Sequence, residues 1–215
     1  MKLARRWRTL GALGLAGMVL GAILVWNIGG ELVAPANCAV GGPPASLHAE
    51  NVEFPGARGT NLHGWLVRGQ PGQGVVLLMH GIHANRRALV TRAELLSHAG
   101  YAVLLFDFQA HGESPGKQIT FGYLESRDAT AAVDFIRQQF PGEKIGVIGI
   151  SLGAASALLA KPPLPVNALV LESSYPTIYQ ATADRLANRL GWLGRLATPL
   201  LTCQLKPRLA SALTT

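Results

Sequence analysis

The chain has 215 residues, 49% of them hydrophobic and only 14% charged, with a formal net charge of +7. That length suits one α/β domain with a sizeable core, more apolar than an average soluble protein. The charge lies at the two ends: residues 31–181 carry ten Lys and Arg against eleven Asp and Glu. No basic stripe with interleaved aromatics exists, so nucleic acid is excluded as a partner.

Lys2, Arg5, Arg6 and Arg8 precede an uncharged run from Leu10 to Trp26. Those residues, as a helix, span about 26 Å, close to the thickness of a bilayer core. Trp26 stands where an interfacial aromatic belongs. Three readings are open. A retained transmembrane anchor would have a cytoplasmic N-terminus. A cleaved signal peptide would use the small-x-small pattern Ala34-Pro35-Ala36. A buried core helix is opposed by glycines spread around the segment and by the lack of a polar face. The first two place the following domain outside the cytoplasm, either membrane-anchored or secreted.

Residues 1–29 are thus expected to be an anchor or signal, 30–46 a linker rich in Gly, Pro and Ala, 47–174 an α/β core, and 175–215 a partial helical cap. Within the core, His48 to Phe54 and Leu62 to Arg68 read as an antiparallel strand pair around Pro55-Gly56. Gly74 to Met79 is a strand buried on both faces. Arg86 to Ala99 is a helix with Leu89, Ala93 and Leu96 on one side, and Ala102 to Phe108 is another buried strand. Tyr123 to Phe140 is a helix with Ala131, Ala132, Phe135 and Ile136 as its apolar stripe. Ile145 to Ile150 is a strand, Leu152 to Ala160 a helix, and Ala168 to Leu171 a sixth strand. After Tyr175 the pattern turns helical, as in Ala181 to Leu190. Alternation of this kind argues for a mostly parallel sheet covered on both sides. Cys38 and Cys203 are too far apart to form a framework and are expected as free thiols. His80-x-x-His83 lacks companion ligands, so neither a metal nor a cofactor is expected.

The chemistry concentrates at Lys144 to Ala155, where Gly149-Ile150-Ser151-Leu152-Gly153 joins an apolar strand to a small-residue helix. A G-x-S-x-G string in that context is a nucleophile elbow: the turn is so sharp that only glycines fit beside the serine, and Ser151 is held above the sheet. Upstream, Leu78-Met79-His80-Gly81-Ile82-His83 places His-Gly at the end of a buried strand, where an oxyanion loop belongs. The amides of Leu152 and Ile82 are the candidate oxyanion donors, each worth about 2.7–4 kcal/mol of transition-state stabilisation. The next strand exits through Asp107-Phe108-Gln109-Ala110-His111-Gly112-Glu113-Ser114.

Together these stretches, with the later run Gly122-x-x-Glu125-x-x-Asp128-x-x-Ala131-Ala132-Val133-Asp134, resemble the α/β-hydrolase superfamily, in its serine aminopeptidase and monoglyceride-lipase-like branch. The loop at Asp107 departs from that branch, which has Arg-Gly where this chain has Gln109-Ala110. The resemblance implies a three-layer α/β sandwich with about six of its eight strands present. It also implies a serine hydrolase that cleaves esters, thioesters or amides through Ser151, flanked by Gly149, Gly153 and the loop glycine Gly81. Its substrate would be a small or lipid-like acyl compound. The resemblance makes His80 and His111 structural, and Asp107 and Asp128 loop-fixing carboxylates. Glu172, at the end of the sixth strand, is read as structural.

In this branch the order is Ser, then acid, then His, yet His48, His63, His80, His83, His98 and His111 all precede Ser151. The catalytic Asp and His are therefore expected to be missing, as in a chain cut short at its C-terminus. The alternatives are a catalytically inactive, membrane-tethered binding protein or a non-functional fragment.

Overall fold

The computed structural model of the chain describes residues 2–56 and 59–213. Residues 1, 57, 58, 214 and 215, the last two of them in the expected cap segment, lie outside it. The described chain divides into two compact units, residues 34–176 and residues 1–33 with 177–215.

The first unit begins with a short strand β1 (Ala36–Asn37), followed by β2 (Glu50–Pro55), β3 (Asn61–Val67) and β4 (Val75–Met79). Helix α2 (Val90–His98) follows a 3₁₀ turn at Arg86–Leu89, where one continuous helix was expected. Asn85 caps that turn by accepting the Arg87 N–H at 3.0 Å. Then come β5 (Ala102–Phe106), β6 (His111–Gly112), α3 (Glu125–Gln139), β7 (Ile145–Ile150), α4 (Leu152–Leu159) and β8 (Ala168–Glu172). The helix that precedes β1 in the chain, Lys2–Val33, is α1.

Six strands form one sheet in the order β2-β3-β5-β4-β7-β8, parallel except at β2–β3 and β3–β5. Every residue of β4 and β5 is buried, as their unbroken apolar sequences require. Side chains alternate between two clusters. Val75, Leu77 and Met79 of β4 pack with Ala129, Ala132, Val133 and Ile136 of α3, and Val76 and Leu78 pack with Leu89 and Ala93. The expected Ala132 and Ile136 are buried, joined by Ala129 and Val133 in place of Ala131, while the half-buried Phe135 stacks on Phe54 at 4.7 Å. The sheet ends at β8, whose Leu169 and Val170 are exposed.

Residues 34–46 differ from a free linker. Strand β1 pairs in parallel with β6, and Asn37 Nδ2 donates to the Gly112 and Ser114 carbonyls. Glu113 accepts the Val40 and Gly41 amides, and Arg87 donates to the Val40 carbonyl. Such backbone anchoring leaves no hydrophobic period to read.

The second unit holds α1 with α5 (Ile178–Leu190), α6 (Trp192–Thr202) and α7 (Leu205–Leu213). Helix α1 runs past Trp26 and through Gly29-Gly30, stopping before Pro35, whose predecessor is disfavoured in α geometry. The glycines do not break the helix because they serve contact: a Cβ at Gly29 would collide with Gln204. Gln204 Nε2 donates to the Val25 carbonyl at 2.8 Å, and Arg208 donates to the Trp26 carbonyl at 2.6 Å while lying over the Trp26 ring.

Candidate active site

Strands β4 and β7 are neighbours, and the chain leaves β4 toward β5 on one side and β7 toward β8 on the other, so the two exits diverge at their C-terminal ends. Ligands of open α/β sheets bind at such a switch point. Here the end of β4 carries Gly81, and the end of β7 carries Ser151.

Ser151 has φ 51° and ψ −101°, a conformation that costs a non-glycine residue about 1–3 kcal/mol. Its neighbours hold it there. The Ser151 N–H donates to the Glu172 carbonyl at 2.9 Å, the Ala155 N–H donates to the Ser151 carbonyl at 2.9 Å, and the Gly153 N–H donates to the His80 carbonyl at 3.1 Å. A Cβ on Gly149 would lie 2.7 Å from the Gly153 backbone, and one on Gly153 would lie 2.7 Å from Met79 Cβ, so both positions require glycine. Ser151 is half-buried and makes no side-chain cap bond to α4, and its hydroxyl has no hydrogen-bond partner among the described residues. Leu152 is the first residue of α4, where an amide has no intrahelical acceptor. A Cβ on Gly81 would sit 3.7 Å from Ser151 Cβ, so this loop abuts the serine directly. The turn at Gly81 closes through the Ala84 N–H to the Gly81 carbonyl at 3.3 Å.

His80 and His111 are fully buried, with rings 5.1 Å apart. His80 Nδ1 lies 2.7 Å from the Gly81 carbonyl, and its Nε2 accepts the Phe108 N–H at 3.2 Å, which fixes the neutral tautomer. Burial, then the neighbouring His111, lowers His80 to about 3. Burial likewise lowers His111. His83 is exposed. His63 faces Glu53 at 3.4 Å. Among the described residues, no histidine hydrogen-bonds to Ser151.

Both predicted loop carboxylates accept backbone amides. Asp107 takes those of Arg86 (2.7 Å) and Glu113 (3.0 Å), and Asp128 takes that of Gln109 (3.0 Å). Gln109 Nε2 reaches the buried Glu125 at 2.9 Å, while Ala110, where the branch has glycine, adopts a left-handed φ of 58° that a side chain strains. Glu172 forms a two-pronged ion pair with Arg92, which lowers its carboxyl below the ordinary range. That acid is committed to a cation.

Arg86 escapes the sequence reading altogether. Its guanidinium is buried, lies 4.8 Å from the Trp65 ring centroid, and pairs with both Asp107 and Glu113. That contact holds the Glu113 carboxyl down at about 2. A helical periodicity scan assigns such an arginine to solvent. The only available signal is its place between the Gly81 turn and the acidic exit of β5.

The family model described as serine aminopeptidase, S33, matches residues 70–214. The chain belongs to that family. It is 27% identical over 179 residues to the uncharacterized protein YfhR of Salmonella typhi, covering 74% of this chain and 59% of YfhR. The chain therefore spans less than two thirds of the length of that curated relative. It is 35% identical over 113 residues to thiohydrolase aneE of Aspergillus aculeatus, covering 50% of this chain and 35% of aneE. The structure of the Pyrococcus furiosus esterase Pf2001 superposes with a TM-score of 0.63 at 29% identity, covering 77% of this chain and 69% of the esterase. The fold is that of the α/β hydrolases.

In this serine aminopeptidase-family chain, the buried histidine sets a pH dependence. The ordinary histidine value is about 6.5, and His80 is lowered to about 3. Between those values the unfolded state binds the extra proton, so stability is complete above pH 6.5 and falls as pH drops toward 3. A loss on the order of a few kcal/mol is expected across that window. Urea midpoints of the wild type and His80→Gln in detergent, at pH 7.5, 6 and 5, test this. The variant starts less stable and changes less with pH. Equal slopes would remove His80 as the source.

Proposed function

We propose that the chain carries the nucleophile and oxyanion site of a serine hydrolase acting on carboxylic esters or thioesters, with amides as the third substrate class. Ser151 Oγ attacks the acyl carbon, the carbonyl π pair moves onto oxygen, and the Leu152 and Ile82 amides receive that charge. The Ser151 proton passes through water to the leaving oxygen, sulfur or nitrogen. The oxyanion collapses, and the acyl–heteroatom bond breaks to release the alcohol, thiol or amine, leaving an acyl-serine for water to hydrolyse. The observation that supports this reading most is the positive φ of Ser151, with a side chain that does not cap α4 and a Cβ that lies beside Gly81. The attack also needs a base, and among the described residues no histidine hydrogen-bonds to Ser151. Elbow and oxyanion donors alone sustain about 10³–10⁴-fold catalysis over water, which sets the expected rate for these 215 residues.

We also infer that α1 anchors the protein in a membrane. Its segment Leu10–Val33 is apolar, none of its most apolar window is buried, and about 36 Å of helix exceeds the bilayer core. Lys2, Arg5, Arg6 and Arg8 put its N-terminus in the cytoplasm by the positive-inside rule. A surface-bound enzyme with an apolar second unit suits a lipid-like acyl substrate.

The histidine inventory favours a second reading, a tethered binding protein with a silent elbow. A fluorophosphonate probe separates the two. Covalent labelling of the wild type and none of Ser151→Ala is the expected result. A cooperatively melting chain that takes up no probe would support the binder.

A further inference from the structure

Helix α6 is amphipathic in the wrong sense for a helix that packs only through its apolar side. Its inner face is made of Gly194, Thr198 and Leu201, all buried. A Cβ at Gly194 would collide with the backbone of Leu186, so small residues let α6 lie close against α5. Trp192, Leu193, Leu196 and Leu200 fall within an arc of about 100° on the opposite side. All four are exposed, Trp192 by 71% and Leu196 by 65%. An apolar stripe of that width ordinarily faces a core.

We propose that this stripe is an in-plane membrane contact that seats α6 in the headgroup and upper acyl layer of the bilayer crossed by α1. The inference rests on the anchoring reading of α1. Three observations choose lipid over another occupant. First, α6 and α7 belong to the same compact unit as α1 and pack against it, with Gln204 and Arg208 bonded to Val25 and Trp26. Those α1 residues lie two thirds of the way along its 24-residue apolar segment, on the side toward its C-terminal end. Second, Arg208 stacked on Trp26 is the pairing expected at headgroup level, where aromatic rings and long cations both settle. Third, the sequence from 182 to 208 carries five cations, Arg185, Arg189, Arg195, Lys206 and Arg208, against the single acid Asp184. An apolar stripe combined with cations is the composition of a helix lying on anionic lipid.

The test uses the full chain with Cys38→Ser and Cys203→Ser, reconstituted in phosphatidylcholine–phosphatidylglycerol vesicles. Single cysteines at Leu196→Cys and, independently, Leu200→Cys carry an environment-sensitive fluorophore. Leu13→Cys on α1 and Gln73→Cys, an exposed core-unit position, serve as references. Doxyl-labelled lipid is expected to quench positions 196 and 200 at least twofold more than position 73, and aqueous iodide to show the reverse order. Iodide access at 196 and 200 equal to that at 73 overturns the proposal, as does shielding from both quenchers, which would mean a protein cover. If Leu13→Cys is quenched by lipid while 196 and 200 are not, the α6 contact fails alone. If Leu13→Cys is not quenched, the anchoring reading fails and the α6 contact falls with it.

Discussion

Arg86→Ala is expected to destabilise the folded chain by about 3–5 kcal/mol, because it strips a buried carboxylate of its cation. Asp107 is fully buried, and only two amides would remain to it. The damage spreads through Glu113, whose other bonds hold Val40 and Gly41 against the core, and through the face of Trp65. Arg87→Ala is the control, since that exposed side chain donates only to main-chain carbonyls and its loss costs about 1 kcal/mol. Urea midpoints in detergent measure both. In the double variant Arg86→Ala/Asp107→Ala the cost should fall short of the sum by more than about 1 kcal/mol, since the orphaned charge goes too. Strict additivity would show that the two side chains do not act as a pair.

Gly153→Ala is expected to cost about 3 kcal/mol, the upper end for added bulk in a packed site. Its methyl carbon would press into both the main chain and side chain of Met79 on β4, neither of which is a loose end. Relief requires α4 to move away from β4, and Ser151 and the Leu152 amide travel with it. A displacement near 1 Å at a reacting centre costs about 100-fold, so fluorophosphonate labelling should fall by that order even in folded protein. Gly146→Ala on β7, the strand that leads into this turn, is the comparison, because its methyl would meet Val76 at an ordinary 3.9 Å. Matching losses in the two variants would mean that the elbow is not held by the close approach at Met79.

The parts of this molecule legible in its sequence are those with a period or a steric signature. Continuous apolar runs mark β4 and β5, and the glycines flanking Ser151 mark the tight strand-to-helix turn at that residue. Three things stayed hidden for physical reasons. Gly29-Gly30 read as a helix end, whereas the missing side chains make room for Gln204 and Arg208 from a segment far along the chain. Residues 30–46 read as a linker because the attachments of 34–46 run through main-chain groups, Val40 to Glu113 and Arg87, and Gly112 to Asn37. Arg86 drew no reading beyond a helix start, because charge pairing across twenty-one positions leaves no local trace.

His80 never needs to touch an acyl group to matter in the proposed chemistry. A trans peptide is a rigid plate with its oxygen and its hydrogen on opposite edges. By gripping the Gly81 oxygen from beneath, the imidazole aims the hydrogen of Ile82 the other way. One of the two donors proposed for the developing oxyanion is thus sighted by a buried ring, much as a bracket sets the angle of a lamp. Loosening that ring would misdirect the donor while leaving every group in the reaction chemically intact.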